Sequence, residues 1–296
     1  MVFLRTGDMR NVGHMTEGAK SHCCHSPLIP YRSFADSGLS VLKCAGCKSL
    51  WANHTNIPKI DFWDEENAPR NFLEALRIRR KIQAELVASI VESRNLQGPI
   101  LDYGCGQGIL LAELQRNSIE SYGCDLDLGV IADSVSVTNL IKISEPWDVP
   151  EGKWGTLMML DVLEHHPRPA DFLRVLNVEN VLLKLPNCTG PFACASRILS
   201  KIGANGSLEK LFLVGSASPH MWLPTKKGIK EIASKAGFQL QLIRNINEVG
   251  IELRDRLRPT PTGRLQRGLL SILGVVIGFS SRFWSDSQIY LLKRSL

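Results

Sequence analysis

The chain has 296 residues, of which 44% are hydrophobic and 22% charged. That is the composition of a soluble globular protein with enough apolar material for one large domain, or one domain and a small module, and it excludes disordered and fibrous classes. The net charge of +6 fits an anionic partner only weakly and singles out none.

Residues 1–20 lack periodicity and read as a tail. They carry charges and no apolar core of a secretory leader, so a cytoplasmic protein is expected. Residues 21–57 hold four of the eight cysteines: Cys23, Cys24, Cys44 and Cys47. Without an export signal, clustered cysteines read as metal ligands rather than as a disulfide framework. Cys105, Cys124, Cys188 and Cys194 are scattered singly and read as buried free thiols. Residues 58–97 form a helical linker or cap. Leu73, Leu76, Ile82, Leu86 and Ile90 fall there at helical spacing, before Gly98-Pro99 breaks the chain.

From Ile100 onward strands and helices alternate. The apolar runs predict strands at Ile100–Tyr103, Ser121–Asp125, Asn139–Ile143, Thr156–Leu160, Val181–Leu185, Phe238–Ile243 and Gln288–Leu292. Helices are predicted at Gly108–Asn117, Gly129–Ser134, Pro169–Leu176, Lys226–Ala236 and Leu265–Phe283. This is the pattern of an α/β fold with a seven-stranded, mostly parallel sheet. Residues 187–224 interrupt it as an insertion over the strand ends. "RDRLRPTPTGR" (Arg254–Arg264) reads as a solvated basic loop. "LLSILGVVIGF" (Leu269–Phe279) is about half the length a membrane span needs, and it suits a helix covering the sheet better than one on a membrane surface.

The stretch "ILDYGCGQGILLAEL" (Ile100–Leu114) places glycines 104, 106 and 108 between a strand and a helix. Glycines there admit positive φ and close approach of a ligand to the backbone, at the carboxyl edge where open α/β sheets bind ligands. Asp102 just before the turn argues against a pyrophosphate and for a cationic or zwitterionic group. Asp125, about twenty residues on, suits a ribose diol. A dinucleotide fits less well, because the position for its third glycine holds Ile109.

"ILDYGCGQG", "GCDLD" and "MLDVLEHHPRPADFL", in that order, resemble the class I S-adenosylmethionine-dependent methyltransferases, which have a Rossmann-like fold. The resemblance spans residues 98–296. With "DVLEH" and the downstream "PHMWLPTKKGIKEIASKAGF", it is nearest to the ubiquinone-biosynthesis O-methyltransferases. The resemblance implies that Asp102, Tyr103, Gly104 and Gly106 hold the methionine moiety of S-adenosylmethionine, that Asp125 binds the ribose and that Leu126 packs on the adenine. The adenine contact expected near Ser144–Trp147 lacks the family's acid. The family's aromatic–Asp pair before the fourth strand reads Trp154-Gly155.

Asp161, Glu164 and His165 follow the fourth strand, where the methyl group would be transferred. His165 would take the acceptor's proton. Alternatively, Asp161, Glu164, His165 and His220 resemble the divalent-metal set of small-RNA 2′-O-methyltransferases. His166, followed by Pro167, reads as structural. "HCCHSPLIPYRSFADSGLSVLKCAGCKSLWAN" (His22–Asn53) resembles a zinc-ribbon-like module found before the catalytic domain in some bacterial methyltransferases. The resemblance implies zinc on Cys24, Cys44 and Cys47. Its expected first cysteine falls at Ser21, leaving Cys23, His22 or His25 as substitutes. Adjacent cysteines rarely bind one metal, so Cys23 beside Cys24 is an uncomfortable pair.

The acceptor expected is a small-molecule or glycan hydroxyl. RNA methylation and a non-catalytic S-adenosylmethionine-binding scaffold are the alternatives. The absence of a dense basic stripe counts against nucleic acid, and peripheral membrane contact stays open.

Overall fold

The computed structural model describes residues 18–55, 70–128, 139–201, 203, 206–216, 218–246 and 284–295. The start of the tail, the helices expected at 129–134 and 265–283, and the basic loop at 254–264 lie outside the described residues.

Two sheets share one chain. The first begins in the cysteine-rich segment with β1 (Leu28–Phe34), β2 (Leu39–Cys44) and β3 (Leu50–His54), paired antiparallel in that order. The long helix α1 (Arg70–Ser93) follows. Its Ala84, Val87 and Ile90 are fully buried against Ile100, Leu110, Leu114 and Met158. Helical spacing therefore produced a helix that packs on the large sheet.

That sheet is built from β4 (Ile100–Tyr103), β5 (Ser121–Asp125), β6 (Leu140–Lys142), β7 (Thr156–Leu160), β8 (Asn180–Pro186), β10 (Phe238–Ile246) and β11 (Ser287–Arg294). Its order is β10-β11-β8-β7-β4-β5-β6. Only β11 runs against its neighbours. All seven strands expected from the sequence are present, with ends shifted by a few residues. β7 reads TLMML with every residue buried, and β8 is buried along nearly its whole length. Helices cover both faces here, so continuous apolar runs replace alternation. α2 (Ile109–Arg116) follows β4, and α3 (Pro169–Val175) and α6 (Lys226–Lys235) pack on the other face through Leu173, Ile229 and Ile232. Thr225 caps α6 by accepting the Gly228 N–H at 3.1 Å.

The insertion at 187–224 holds α4 (Pro191–Lys201), α5 (Gly206–Leu211) and the two-residue strand β9 (Trp222–Leu223). β9 does not join the large sheet. It pairs antiparallel with β3, completing the module's sheet as β1-β2-β3-β9. Trp222 stacks on Trp51 at 5.5 Å and 18°, and both are fully buried. The Trp222 indole N–H donates to the Leu163 carbonyl at 3.0 Å. Thr225 Oγ1–H donates to the Cys47 carbonyl at 2.6 Å. The cysteine-rich segment and the 187–224 insertion thus share a sheet, and the segment shares a core with the large sheet.

The structure also accounts for the Gly155 that stands in place of the family's acid. A Cβ there would lie 1.9 Å from the Gln97 carbonyl oxygen. Trp154 keeps its aromatic role, packing on Tyr122 and donating its indole N–H to the Pro150 carbonyl at 2.9 Å.

Trp222→Ala removes a fully buried aromatic, its stack and its hydrogen bond. We expect a loss of about 3–5 kcal/mol in folding stability, measured by denaturant unfolding.

Candidate functional site

The glycine turn leaves β4 with φ of 80° at Gly104, 53° at Gly106 and 70° at Gly108. All three lie in the left-handed region, which explains their alternation in sequence. Gly108 is the N-cap of α2 and supplies no side-chain cap, so the first amides of the helix remain available to a ligand. A Cβ on Gly104 would lie 2.7 Å from Val162 Cγ2. The glycine turn and the "DVLEH" turn are therefore in direct contact.

Asp102 and Asp125 lie at the carboxyl ends of the paired strands β4 and β5. Asp102 is 3% exposed, and burial pushes its carboxyl up to about 7, with Arg80 of α1 offsetting only part of the effect. Asp125 accepts the Gly106 N–H on Oδ2 at 2.7 Å and the Asp127 N–H on Oδ1 at 3.2 Å. Those bonds hold the carboxylate against the glycine turn and leave each oxygen a second lone pair. Leu126 is 41% exposed beside it. Tyr103 is buried and stacks on Trp147 at 6.2 Å and 8°. Trp147, in the loop after β6, also meets His166 edge-on at 4.3 Å. An aromatic thus fills part of the stretch where the family has an acid.

The "DVLEH" residues divide into two groups. Asp161 follows β7 with φ of 63°, and the Lys184 ammonium donates to its two oxygens at 2.8 and 2.6 Å. Burial alone would raise Asp161, but Lys184, with Arg80 and Arg79 beyond, holds its carboxyl below the usual range. Lys184 is 2% exposed and was missed in the sequence, although a lysine inside the apolar run NVLLKLP signals a paired charge.

Glu164, His165 and His220 form the second group. One ligand atom from each lies within 4.8 Å of the others. The rings of His165 and His220 are 5.0 Å apart, and His220 Nε2 is 3.9 Å from Glu164 Oε1. Nδ1 of His165 lies 3.0 Å from the Pro219 carbonyl, and Nδ1 of His220 lies 2.8 Å from that of Leu211. A carbonyl only accepts, so both imidazoles carry their proton on Nδ1 and present a bare Nε2. Burial lowers both, His220 to about 3. Burial, reinforced by Asp161, raises Glu164 well above the carboxylate range. Glu164 Oε2 is buried with no hydrogen-bond partner. Two oriented imidazole lone pairs and an unsatisfied carboxylate oxygen are a donor set that suits a divalent cation. Asp161 is not part of it.

His166 is separate from both groups. Its Nδ1 accepts the Arg168 N–H at 2.9 Å, and its ring packs on Trp147 and Phe172. Another contributor missed in the sequence is His54 of β3, whose Nε2 donates to the His220 carbonyl at 2.9 Å. Met221 N–H donates to the Glu164 carbonyl, and Ala52 N–H donates to the Met221 carbonyl, both at 2.8 Å.

In the module, Sγ atoms of Cys23, Cys24, Cys44 and Cys47 lie within 4.8 Å of one another. Cys23 is 3.0 Å from Cys47, and Cys24 is 3.2 Å from Cys44. Cys23 thus joins Cys24 despite their adjacency, with His25 turning the chain at φ of 55°. Ser21 sits at the rim, its Oγ 3.3 Å from Cys44 Sγ. His22 instead packs its ring on Trp51. The Cys23 thiol's hydrogen bond holds Cys47 down to about 5 and leaves Cys23 raised. Four convergent sulfurs with one already inclined to thiolate fit a tetrahedral zinc ion.

Residues 75–243 match the family described as the methyltransferase domain. No curated protein gave a match. Solved structures that resemble the chain include magnesium protoporphyrin IX methyltransferase from Synechocystis with bound S-adenosylhomocysteine. It shares 19% identity, with 77% of this chain and 90% of that one covered, at a TM-score of 0.46. A SAM-dependent methyltransferase from Archaeoglobus fulgidus shares 18% identity, with 76% and 100% covered, at a TM-score of 0.43. With more than half its length matched, the chain belongs to the methyltransferase domain family, S-adenosylmethionine-dependent enzymes of Rossmann-like fold.

Proposed function

We propose that this methyltransferase moves the methyl group of S-adenosylmethionine to a hydroxyl of a small-molecule or glycan acceptor, within the group of O-methyltransferases that its motifs resemble. The observation that carries this reading is the contact between the glycine turn and the "DVLEH" turn through Gly104 and Val162. It sets the donor-holding residues beside the proton-handling ones.

The donor, when bound, supplies an electrophilic methyl on a sulfonium. Asp102 faces its ammonium, the amides of the glycine turn face its carboxylate, and Asp125 faces its ribose diol. Leu126 offers an apolar surface to the adenine. His165 accepts the acceptor's proton at Nε2, the nitrogen that its Nδ1–H···Pro219 bond leaves bare. Such proton removal contributes about 10²–10⁴-fold to rate. The Lys184–Asp161 pair fixes the start of the turn that carries Glu164 and His165.

A second reading is favoured by the unpartnered Glu164 Oε2. Glu164, His165 and His220 would hold a divalent cation, which lowers the pKa of an acceptor hydroxyl. In the module, a structural zinc on Cys23, Cys24, Cys44 and Cys47 would stabilise a segment too small to fold alone. No described helix is long and apolar enough to cross a membrane. We place the protein in the cytoplasm, where eight free thiols stay reduced.

Calorimetric titration tests the donor assignment. Asp125→Ala should weaken S-adenosylmethionine binding by well over tenfold, on the order of 1.4 kcal/mol or more for a lost pair of charge-assisted bonds. NAD should not bind the unaltered chain, and NAD binding without S-adenosylmethionine binding would contradict the reading.

The pH dependence follows from Asp102. Its carboxyl titrates near 7 in the free protein, and the ammonium of the donor prefers the ionised form. Donor affinity should therefore fall as pH drops through 7, by about tenfold between pH 8 and pH 6. Asp102→Asn should bind weakly with a flat profile. A tenfold fall that persists in Asp102→Asn would assign it to another group.

A further inference from the structure

The segment Pro219–Met221 touches every member of the Glu164–His165–His220 cluster. The Pro219 carbonyl accepts from Nδ1 of His165 at 3.0 Å. His220 supplies its own ring, and Met221 N–H donates to the Glu164 carbonyl at 2.8 Å. Three consecutive residues therefore set the aim of the whole cluster. They belong to neither a helix nor a strand, so their backbone groups depend on partners from elsewhere in the fold.

Two carbonyls of this segment are held by β3 of the cysteine-rich module. Ala52 N–H donates to the Met221 carbonyl at 2.8 Å, continuing past the strand pairs Leu50–Leu223 and Trp51–Trp222. There a side chain takes over from the backbone. His54 Nε2 lies 2.9 Å from the His220 carbonyl. A carbonyl only accepts, so His54 carries its proton on Nε2. Strand alternation sets the direction of the ring. Leu50, Ala52 and His54 fall on one face of β3, and the first two pack there with Leu208 and Phe212. That region also holds His220 from its other side. The Phe212 carbonyl accepts the His220 N–H at 3.2 Å, and the Leu211 carbonyl accepts from its Nδ1 at 2.8 Å. His220 is thus gripped at its N–H, its ring and its carbonyl, and His54 supplies the third grip.

We propose that His54 is a positioning residue for methyl transfer. By holding the His220 carbonyl it keeps the His220 ring aimed at Glu164 and, through the adjoining Pro219 carbonyl, keeps His165 with its Nε2 bare. The proposal rests on the reading of this cluster as the group that handles the acceptor's proton. His54 acts through one donated hydrogen bond, with no change in its own charge. A glutamine in its place puts an amide N–H near the same point. A leucine fills similar space and donates nothing, and an asparagine amide stops short of the carbonyl.

Nitrogen-15 NMR of the imidazoles in the full, zinc-loaded chain tests this, read as hydrogen exchange of the Nδ1 protons of His220 and His165. Both should exchange slowly in the unaltered chain. His54→Leu and His54→Asn should each speed exchange at His220 by about tenfold, the weight of one hydrogen bond, with a smaller rise at His165. His54→Gln should restore slow exchange. The near-ultraviolet signal of the Trp51–Trp222 stack, on the other face of β3, reports that the module's fold is kept. If His54→Leu disturbs that signal, His54→Asn against His54→Gln still decides. Slow exchange in both His54→Leu and His54→Asn would overturn the proposal. So would fast exchange in His54→Gln with the tryptophan signal intact, because the ring's bulk and not its donor would then matter. Absence of S-adenosylmethionine binding by the unaltered chain would overturn the methyltransferase reading beneath the proposal. Normal binding with rings unmoved in the His54 variants would overturn the positioning role and leave that reading standing.

Discussion

A two-residue strand decides how this protein is assembled. β9 pairs with β3 of the cysteine-rich segment, and the backbone just before it reaches the catalytic turn. Ala52 donates to Met221, and Met221 donates to Glu164, so one chain of hydrogen bonds runs from the module to the site. Each such bond contributes only about 0.5–1.5 kcal/mol net. The Trp51–Trp222 stack beneath them contributes several times more through burial, so packing rather than hydrogen bonding fixes the arrangement. The hydrogen bonds set its register. His54 on the carbonyl of His220 and Trp222 on the carbonyl of Leu163 extend the same register to both sides of the site.

Electrostatics then divides the site. Lys184 is buried and Asp161 is one-third exposed, and the two stay ionised because each satisfies the other. Glu164, one turn further, is buried and meets the charge of Asp161, and together these outweigh the pull of Lys184 and raise its carboxyl. His165 and His220 are held neutral by burial and fixed in one tautomer by backbone carbonyls. The site thus combines a fixed ion pair with a buried cluster of one carboxyl and two imidazoles whose ligand atoms converge within 4.8 Å. Such a cluster can receive a proton or a cation, and Gly104 brings the turn that carries it against the glycine turn.

Much of this was legible in the sequence, for identifiable reasons. The seven strands of the large sheet were readable because burial on both faces demands unbroken apolar runs such as TLMML. The glycine turn was readable because three positive-φ positions admit little else. What escaped was either very short or dependent on distant partners. β9 has no room for a period, and its partner lies some 170 residues away. Cys23 was an uncomfortable candidate on the rule about adjacent ligands, yet its Sγ converges with those of Cys24, Cys44 and Cys47. Lys184 did leave a signal, a lone charge in an apolar strand, but the sequence groups its partner Asp161 with the catalytic candidates Glu164 and His165. Gly155 stood out as a missing acid, and only the nearby Gln97 carbonyl explains it.

Through β9 the cysteine module holds His165 and His220 in place. Imidazole NMR spectra of the full chain, recorded with zinc bound and after its removal by a thiol-selective chelator, test it directly. Assignment by His165→Gln and His220→Gln identifies the two rings. The account predicts one bound zinc, and loss of the fixed Nδ1–H tautomer at His220 and His165 once it is removed. Unchanged His165 and His220 signals after complete zinc removal would contradict it, and would leave the module as a neighbour of the site with no part in building it.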